Sequence, residues 1–169
     1  MALLVALGGL PGSGKTTLAA ALAPRLGAAV CRVDALEAAM WHAGIGRDQP
    51  TGLAAYAVAH AAARTTLTAG TAVVVDAVNP VAEAREGWVA LADEVGARLV
   101  PVEVVCPDPV EHRRRVAERI SDLPGFAVPT WEQVQAMDYE PWVGERVLVD
   151  ARRPLGEQVE LVLRAADAV

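Results

Sequence analysis

Lysine is almost missing from this sequence. The 169 residues include 14 arginines but a single lysine, Lys15. Because arginine supplies nearly every other positive charge, the one retained ammonium group marks a position that favours a compact cation. A compact cation is typical of a side chain that meets phosphate groups. The segment around Lys15 is therefore a candidate functional site.

Cysteines and long apolar runs are also scarce. The two cysteines, Cys31 and Cys106, are too few for a disulfide framework or a zinc site. No uncharged stretch is long and apolar enough to span a bilayer, and no basic segment precedes the first apolar run, so we expect a cytoplasmic protein without a signal peptide. The net charge of −6 and the pI of about 5.0 disfavour nucleic acid and anionic membranes as partners. We expect a small-molecule partner, with monomer and homodimer both open.

The sequence does contain a regular alternation of β-like apolar runs and helical segments. Apolar residues make up 53% of the chain and charged residues 21%, which is typical of one globular domain, here residues 1–169. The alternation predicts an α/β fold with a parallel sheet. The predicted strands are 3–7, 29–33, 71–75, 102–105 and 147–149, and the predicted helices are 15–26, 35–41, 53–69, 80–95, 109–120, 157–168 and a segment from 130 towards 139.

A phosphate-binding loop lies between the first predicted strand and helix. The segment from Gly9 to Thr16 matches the pattern G-x-x-x-x-G-K-[ST] in full. Its glycines allow positive φ and let backbone N–H groups converge on phosphate oxygens. Lys15 is expected to bridge the β- and γ-phosphates of ATP, and the Thr16 hydroxyl to hold Mg²⁺. The predicted nucleotide contacts in this segment are Gly9, Pro11, Gly12, Ser13, Gly14, Lys15, Thr16 and Thr17.

The residues after the third predicted strand favour phosphoryl transfer over hydrolysis. Asp76 ends that strand and is followed by Ala77, where ATPases that hydrolyse commonly carry a glutamate that polarises water. A guanine-recognition motif of the form Asn-Lys-x-Asp is excluded, because Lys15 is the only lysine. Without a water-activating residue, the phosphate is expected to move to a bound acceptor.

Two aspartates follow neighbouring strands of the predicted sheet. Asp34 follows the second strand and Asp76 ends the third, so both carboxylates should lie beside the phosphate-binding loop. We assign Asp34 as the base towards the acceptor hydroxyl and Asp76 to the metal, although the two roles could be exchanged. A purely structural alternative exists, since Asp34 and Glu37 also form a capping box and Asn79 precedes a proline as a helix N-cap does.

A run of arginines marks the helix that begins near residue 109. Arg115 and Arg119 are one turn apart and share a face, so both could reach the phosphates of ATP. Guanidinium groups on such a lid neutralise charge in the transition state of phosphoryl transfer. The alternative is a solvated helix face on which Glu111 pairs with Arg115.

With these motifs the chain resembles the kinase branch of P-loop proteins. More narrowly, it resembles small ATP-binding kinases related to polynucleotide kinase, zeta-type toxins, chloramphenicol phosphotransferase and adenylylsulfate kinase. The resemblance implies a three-layer P-loop NTPase fold whose five parallel strands have the order 2-3-1-4-5, with a lid over approximately 113–131. The matching pieces are Gly9–Thr17, 33–34, 75–80, Arg85, Trp88, 105–108, 112–115, Arg119 and 149–151.

The resemblance also implies roles for individual residues. It makes Asp34 the catalytic base, places Arg115 and Arg119 on the ATP phosphates as catalytic residues beside Lys15, and puts Asp150 near the adenine. Glu37 departs from the pattern, because relatives that act on anionic substrates often carry arginine there. An acidic residue beside the acceptor favours a neutral or cationic molecule.

The acceptor is expected to enter between segments 35–60 and 77–90. The predicted acceptor contacts are Asp34, Glu37, Trp41, Asn79 and Arg85. The expected function is that of a kinase acting on a hydroxyl group of an antibiotic, sugar or polyol. Two alternatives stay open: a kinase for the 5′-hydroxyl of a nucleoside or polynucleotide, and a nucleotide-dependent regulatory protein that hydrolyses ATP slowly.

Overall fold

The fold is a parallel β-sheet between two layers of helices, as a computed structural model describes it for residues 1–168. The strand order is β2-β3-β1-β4-β5 and every neighbouring pair is parallel, which confirms the predicted fold class and order. The strands are β1 (Leu3–Gly8), β2 (Ala29–Arg32), β3 (Val73–Asp76), β4 (Arg98–Val105) and β5 (Val147–Asp150). The helices are α1 (Lys15–Leu26), α2 (Val33–His42), α3 (Thr51–Thr68), α4 (Ala82–Val95), α5 (Pro109–Glu118), α6 (Trp131–Gln135) and α7 (Leu155–Asp167).

The core divides into two clusters, one on each face of the sheet. Successive side chains of β3 alternate between them: Val73 and Val75 pack with α3 and α4, whereas Val74 packs with α1 and α7. Because helices cover both faces, the central strands are continuous apolar runs. None of the helices within residues 1–168 combines the length and the apolarity that crossing a membrane requires.

Several strand boundaries differ from those predicted, and one of them moves a candidate site residue. β2 ends at Arg32, and α2 begins at Val33, so Asp34 lies in the first turn of a helix instead of directly at a strand end. β4 begins at Arg98, four residues earlier than predicted, and includes Pro101. A proline is tolerated there because β5 pairs with β4 only from Val102 onward, so the missing N–H removes no ladder bond.

Several helix boundaries also differ by a few residues. α4 begins at Ala82, two residues after the predicted start, because the chain around Asn79 adopts a turn that is not helical. α6 ends at Gln135, well before Tyr139. α3 begins at Thr51, so the loop before it is shorter than predicted.

Asn79 ties three elements together at the end of β3. It is buried and is the only residue other than glycine with positive φ, at 49°, among residues 1–168. Its Nδ2 donates to the Leu7 carbonyl at 2.8 Å, and its Oδ1 accepts from Trp88 Nε1 at 2.9 Å. Its backbone N–H donates to the Tyr56 hydroxyl at 2.9 Å. The polar atoms of Asn79 are therefore used inside the protein.

We predict that Asn79→Ala lowers the free energy of unfolding by about 2–4 kcal/mol, since it leaves the Leu7 carbonyl and the Trp88 indole N–H buried without partners. Urea unfolding followed by circular dichroism measures this. Gln135→Ala at an exposed position should change the free energy by about 0.5 kcal/mol or less. Equal stability of Asn79→Ala and the unaltered protein would contradict the assignment.

Candidate active site

The phosphate-binding loop has its shape imposed by the protein around it. Gly9, Gly12 and Gly14 have φ of 142°, 80° and 101°, a range that side chains disfavour. A Cβ at Gly9 would lie 2.2 Å from the Val104 carbonyl oxygen. α1 follows with no side-chain cap and no acidic residue in its first turn, so its N-terminal N–H groups are open to an anion.

Lys15 lies at the bottom of this loop and is buried. Its Nζ donates to the Leu10 carbonyl at 3.0 Å, within the same loop. Burial lowers the pKa of Lys15 to about 8, while Asp76 and Asp34 act in the opposite direction. The Ser13 hydroxyl is also buried, and it has no hydrogen-bond partner within residues 1–168. A cation and an unpaired hydroxyl at one point fit a phosphate group.

Within residues 1–168, Asp76 offers an oxygen without a hydrogen-bond partner in the same cleft as the loop. Its carboxylate is almost fully buried, and Oδ2 has no hydrogen-bond partner among the described residues. Thr16 lines the same cleft. Mg²⁺ commonly binds one or two protein oxygens and completes its shell with water and phosphate oxygens, which these two residues fit. Within residues 1–168 no three acidic, histidine or cysteine side chains form a cluster that could hold a metal alone.

Asp34 lines the same cleft as the loop, near Lys15. Burial raises the pKa of its carboxyl and Asp76 adds to this, while the nearby Lys15 opposes it. A carboxylate with a raised pKa is a better proton acceptor than an exposed one. The first turn of α2 thus brings Asp34 to the position that the sequence predicts for it.

These groups face a cleft of about 610 Å³, a size typical of small-molecule sites. The phosphate-binding loop, the two aspartates and several apolar residues all contribute to its lining. The lining residues are Pro11, Gly12, Gly14, Lys15, Thr16, Thr17, Asp34, Asp76, Ala77, Val78, Arg115, Glu118, Arg119, Phe126, Ala127, Pro129 and Met137.

Helix α5 packs directly on the phosphate-binding loop. Asp108 caps the helix by accepting from the N–H groups of Val110 and Glu111 at 2.9 and 3.3 Å. His112 donates from Nε2 to the Pro11 carbonyl at 2.8 Å, since a carbonyl oxygen can only accept. A Cβ at Gly12 would lie 2.6 Å from Val116 Cγ2. This contact holds the arginine-bearing helix beside the loop.

Arg115 reaches the cleft while making two internal contacts. Its Nε donates to Glu111 Oε1 at 2.7 Å, and its Nη2 donates to the Ala151 carbonyl at 3.0 Å. The helix-face pair with Glu111 is therefore present together with the cleft-facing position. Arg119 also lines the cleft, but it follows the end of α5 and begins an irregular segment. We call this segment, residues 119–130, the lid loop.

The lid loop is closed onto α2 and the segment after it. Trp41 stacks on Phe126 with ring centroids 5.5 Å apart. The guanidinium carbon of Arg47 lies 4.1 Å from the centroid of the Trp41 ring, and Arg47 also donates to the Gly125 carbonyl. The aromatic side chain predicted to contact the acceptor thus holds the lid loop through Phe126, which itself lines the cleft.

Glu37 lies outside the cleft lining. Its carboxylate accepts from the Thr51 hydroxyl at 2.7 Å, and that hydroxyl accepts in turn from Trp41 Nε1 at 3.0 Å. The three side chains join α2 to the start of α3. The charge of Glu37 is therefore engaged at this helix contact instead of facing the cleft.

Arg85 and Asn79 also lie outside the lining. Arg85 donates to the carbonyl groups of Asn79, Pro80, Glu140 and Pro141 at 2.6–3.1 Å. Its guanidinium carbon lies 4.7 Å from the centroid of the Trp142 ring. Both side chains stabilise the turn after β3, and the structure does not bring them together with Asp34.

Asp150 lies at the rim, at the end of β5. It accepts from the backbone N–H and the guanidinium of Arg152, which lower the pKa of its carboxyl to about 2. The next residue, Ala151, lies close to the loop, since a Cβ at Gly14 would be 3.6 Å from the Ala151 Cβ. Asp150 is thus adjacent to the cleft, without lining it.

Sequence reasoning missed Arg32, His112 and Phe126. Arg32 ends β2 opposite Asp76 in the strand register, so a charged residue at the end of an apolar run was the available signal. His112 precedes the arginine run and carries no separate signal in the sequence. Phe126 carried no local signal, because its place depends on the closure of the lid loop.

The glycine-rich loop, the buried lysine and the two carboxylates that line the same cleft together define a P-loop nucleotide-binding protein. A family model described as an AAA domain matches residues 4–137. This match spans most of the chain, and the protein belongs to that family. No curated protein matches the sequence.

Solved structures share this fold at low sequence identity. A candidate kinase from Chloroflexus aurantiacus has a TM-score of 0.77 and 20% identity, covering 98% of this chain and 96% of that one. Kti12 from Chaetomium thermophilum, in complex with ADP-AlF3, has a TM-score of 0.74 and 20% identity over 98% of both chains. APS kinase from Mycobacterium tuberculosis, in complex with AMPPNP and APS, has a TM-score of 0.72 and 22% identity, covering 99% of this chain and 98% of that one.

We predict that Lys15→Ala weakens the binding of Mg·ATP about thirtyfold or more, because it removes the buried charge that faces the phosphates. Isothermal titration calorimetry measures the dissociation constant. Arg25→Ala is the matched control, since Arg25 is a cation of the same helix that pairs with Glu160 at the surface. Undiminished affinity in Lys15→Ala would refute the assignment of the loop.

Proposed function

We propose that the protein is an ATP-dependent kinase that transfers the γ-phosphate of ATP, with Mg²⁺, to a hydroxyl group of a small molecule. The observation that carries this proposal is the position of the Asp34 carboxylate, in the same cleft as the phosphate-binding loop and Lys15. The residue after Asp76 is the buried Ala77, so no carboxylate stands there to activate water. A base opposite the phosphate site without a water activator favours transfer to an acceptor.

The reaction assigns a task to each charged residue. The acceptor oxygen attacks the γ-phosphorus while Asp34 takes the hydroxyl proton, and the bond from the γ-phosphorus to the bridging oxygen breaks to release ADP. Lys15, Arg115 and Arg119 neutralise the charge on the phosphate oxygens. Thr16 and Asp76 are the residues that would hold Mg²⁺, which would supply further neutralisation of that charge.

The acceptor is proposed to be neutral or cationic, of the antibiotic, sugar or polyol type. The negative charge of the triphosphate neutralises the positive charges of Lys15, Arg115 and Arg119. The carboxylate of Asp34 then remains beside the acceptor and disfavours an anion. The support for this preference is thus Asp34, because Glu37 is bonded to Thr51. Apolar side chains of Phe126 and Met137 offer a surface for the body of the acceptor.

We predict that Asp34→Asn lowers kcat for phosphoryl transfer about a hundred- to ten-thousandfold while leaving the affinity for ATP nearly unchanged. The acceptor is first identified by ADP release across sugars, polyols, nucleosides, aminoglycosides and phenicols, with acceptor-free and protein-free controls. Asp93→Asn, an exposed change at the end of α4, serves as the matched control.

The same variant separates the kinase from a regulatory nucleotide-binding protein. That second candidate is favoured by the likeness to Kti12 in complex with ADP-AlF3, which covers the whole of the fold. If every acceptor leaves ADP release at the acceptor-free rate, and Asp34→Asn leaves slow hydrolysis unchanged, the regulatory function replaces the kinase. Transfer to nucleosides alone would favour the 5′-hydroxyl alternative.

A further inference from the structure

Arg32 lies where the lid loop meets the metal side of the cleft. It ends β2, is level with Asp76 in the register of the sheet, and exposes only 14% of its side chain. Its guanidinium has two carboxylates within reach, one in the lid loop and one at the end of β3. The way in which it divides its contacts between them connects two parts of the site.

The contact with the lid loop is the complete one. Arg32 donates from Nη1 and Nη2 to the two carboxylate oxygens of Asp122, at 2.6 and 2.9 Å. Two parallel charge-assisted bonds hold the guanidinium more firmly and in a more defined direction than a single bond would. Asp122 has 66% of its side chain exposed, so only the closed position of the lid loop keeps it on Arg32.

The contact with Asp76 is incomplete. Arg32 Nε lies 3.7 Å from Asp76 Oδ2, which is beyond hydrogen-bond distance. Both atoms are buried and have no hydrogen-bond partner among residues 1–168. Two unsatisfied groups of opposite charge that face each other are costly to maintain, and a small shift of the guanidinium would join them.

We propose that Arg32 is a positioning residue that couples closure of the lid loop to metal binding at Asp76. With the lid loop closed, Asp122 holds the guanidinium and leaves Asp76 Oδ2 free for the shell of the metal. With the lid loop open, Arg32 turns to Asp76 and competes with the metal for its carboxylate. The inference rests on the metal and nucleotide site of the proposed function, but on no particular acceptor.

The test measures metal binding directly, without turnover. The protein is saturated with AMPPNP and titrated with Mn²⁺, and free Mn²⁺ is followed by electron paramagnetic resonance. Asp122→Asn removes the carboxylate that holds Arg32, so it should raise the dissociation constant of Mn²⁺ about tenfold. Arg32→Gln removes the competing charge and should not raise it. The double variant should therefore bind Mn²⁺ as Arg32→Gln does.

Whether Arg32→Gln restores Mn²⁺ binding to the Asp122→Asn variant distinguishes coupling from a simple structural bond. If Asp122→Asn and the double variant are equally weakened, the pair merely holds the lid loop and the inference is overturned. Glu94→Gln is the matched control, because it breaks a two-bond pair with Arg64 at the surface of α3 and α4. Thermal melting checks that each variant is folded.

The outcome for the unaltered protein separates this inference from the proposed function. If the unaltered protein binds Mn²⁺ with AMPPNP and Asp122→Asn binds it equally well, the coupling alone is wrong. If the unaltered protein binds no Mn²⁺ in the presence of AMPPNP, the proposed function fails together with the coupling.

Discussion

The site depends on the close approach of a glycine-rich backbone to its neighbours. Gly9 lies against the Val104 carbonyl and Gly12 against Val116, at distances that leave no room for a side chain. These contacts set the direction of the loop amides before any phosphate arrives, so the protein and not the ligand supplies the cost of ordering them. The bond from His112 to Pro11 extends the same constraint to α5 and its arginines.

What could be predicted from the sequence was encoded locally. The phosphate-binding loop is encoded in eight consecutive residues, and the alternating apolar runs predict the parallel α/β class. The strand order was implied by the family resemblance alone. Strand ends were less certain, because Val33 fits a strand as well as the first turn of a helix. The predicted fourth strand begins only at residue 102, whereas β4 includes Pro101, which the short reach of β5 permits.

What could not be predicted are contacts between residues far apart in the chain. Arg85 and Asn79 matched a family pattern, but their polar atoms bond to backbone groups and to Trp88, which no local pattern reveals. Glu37 likewise meets Thr51, the first residue of α3. Arg32 and Asp122 are separated by 90 positions, so only the folded chain shows that they meet.

The side chains of the cleft are less prepared for a ligand than its backbone. Lys15 donates to its own loop and Arg115 to Glu111, so a triphosphate must compete with contacts that already exist. This competition lowers affinity, but it also means that each cation is released from an internal partner only when phosphate takes its place. A site built this way has a fixed cradle of backbone amides and charged side chains that can change partners. The carboxylate of Asp122 in the lid loop is one more such charge. Closure and binding are then linked by the same exchange of partners.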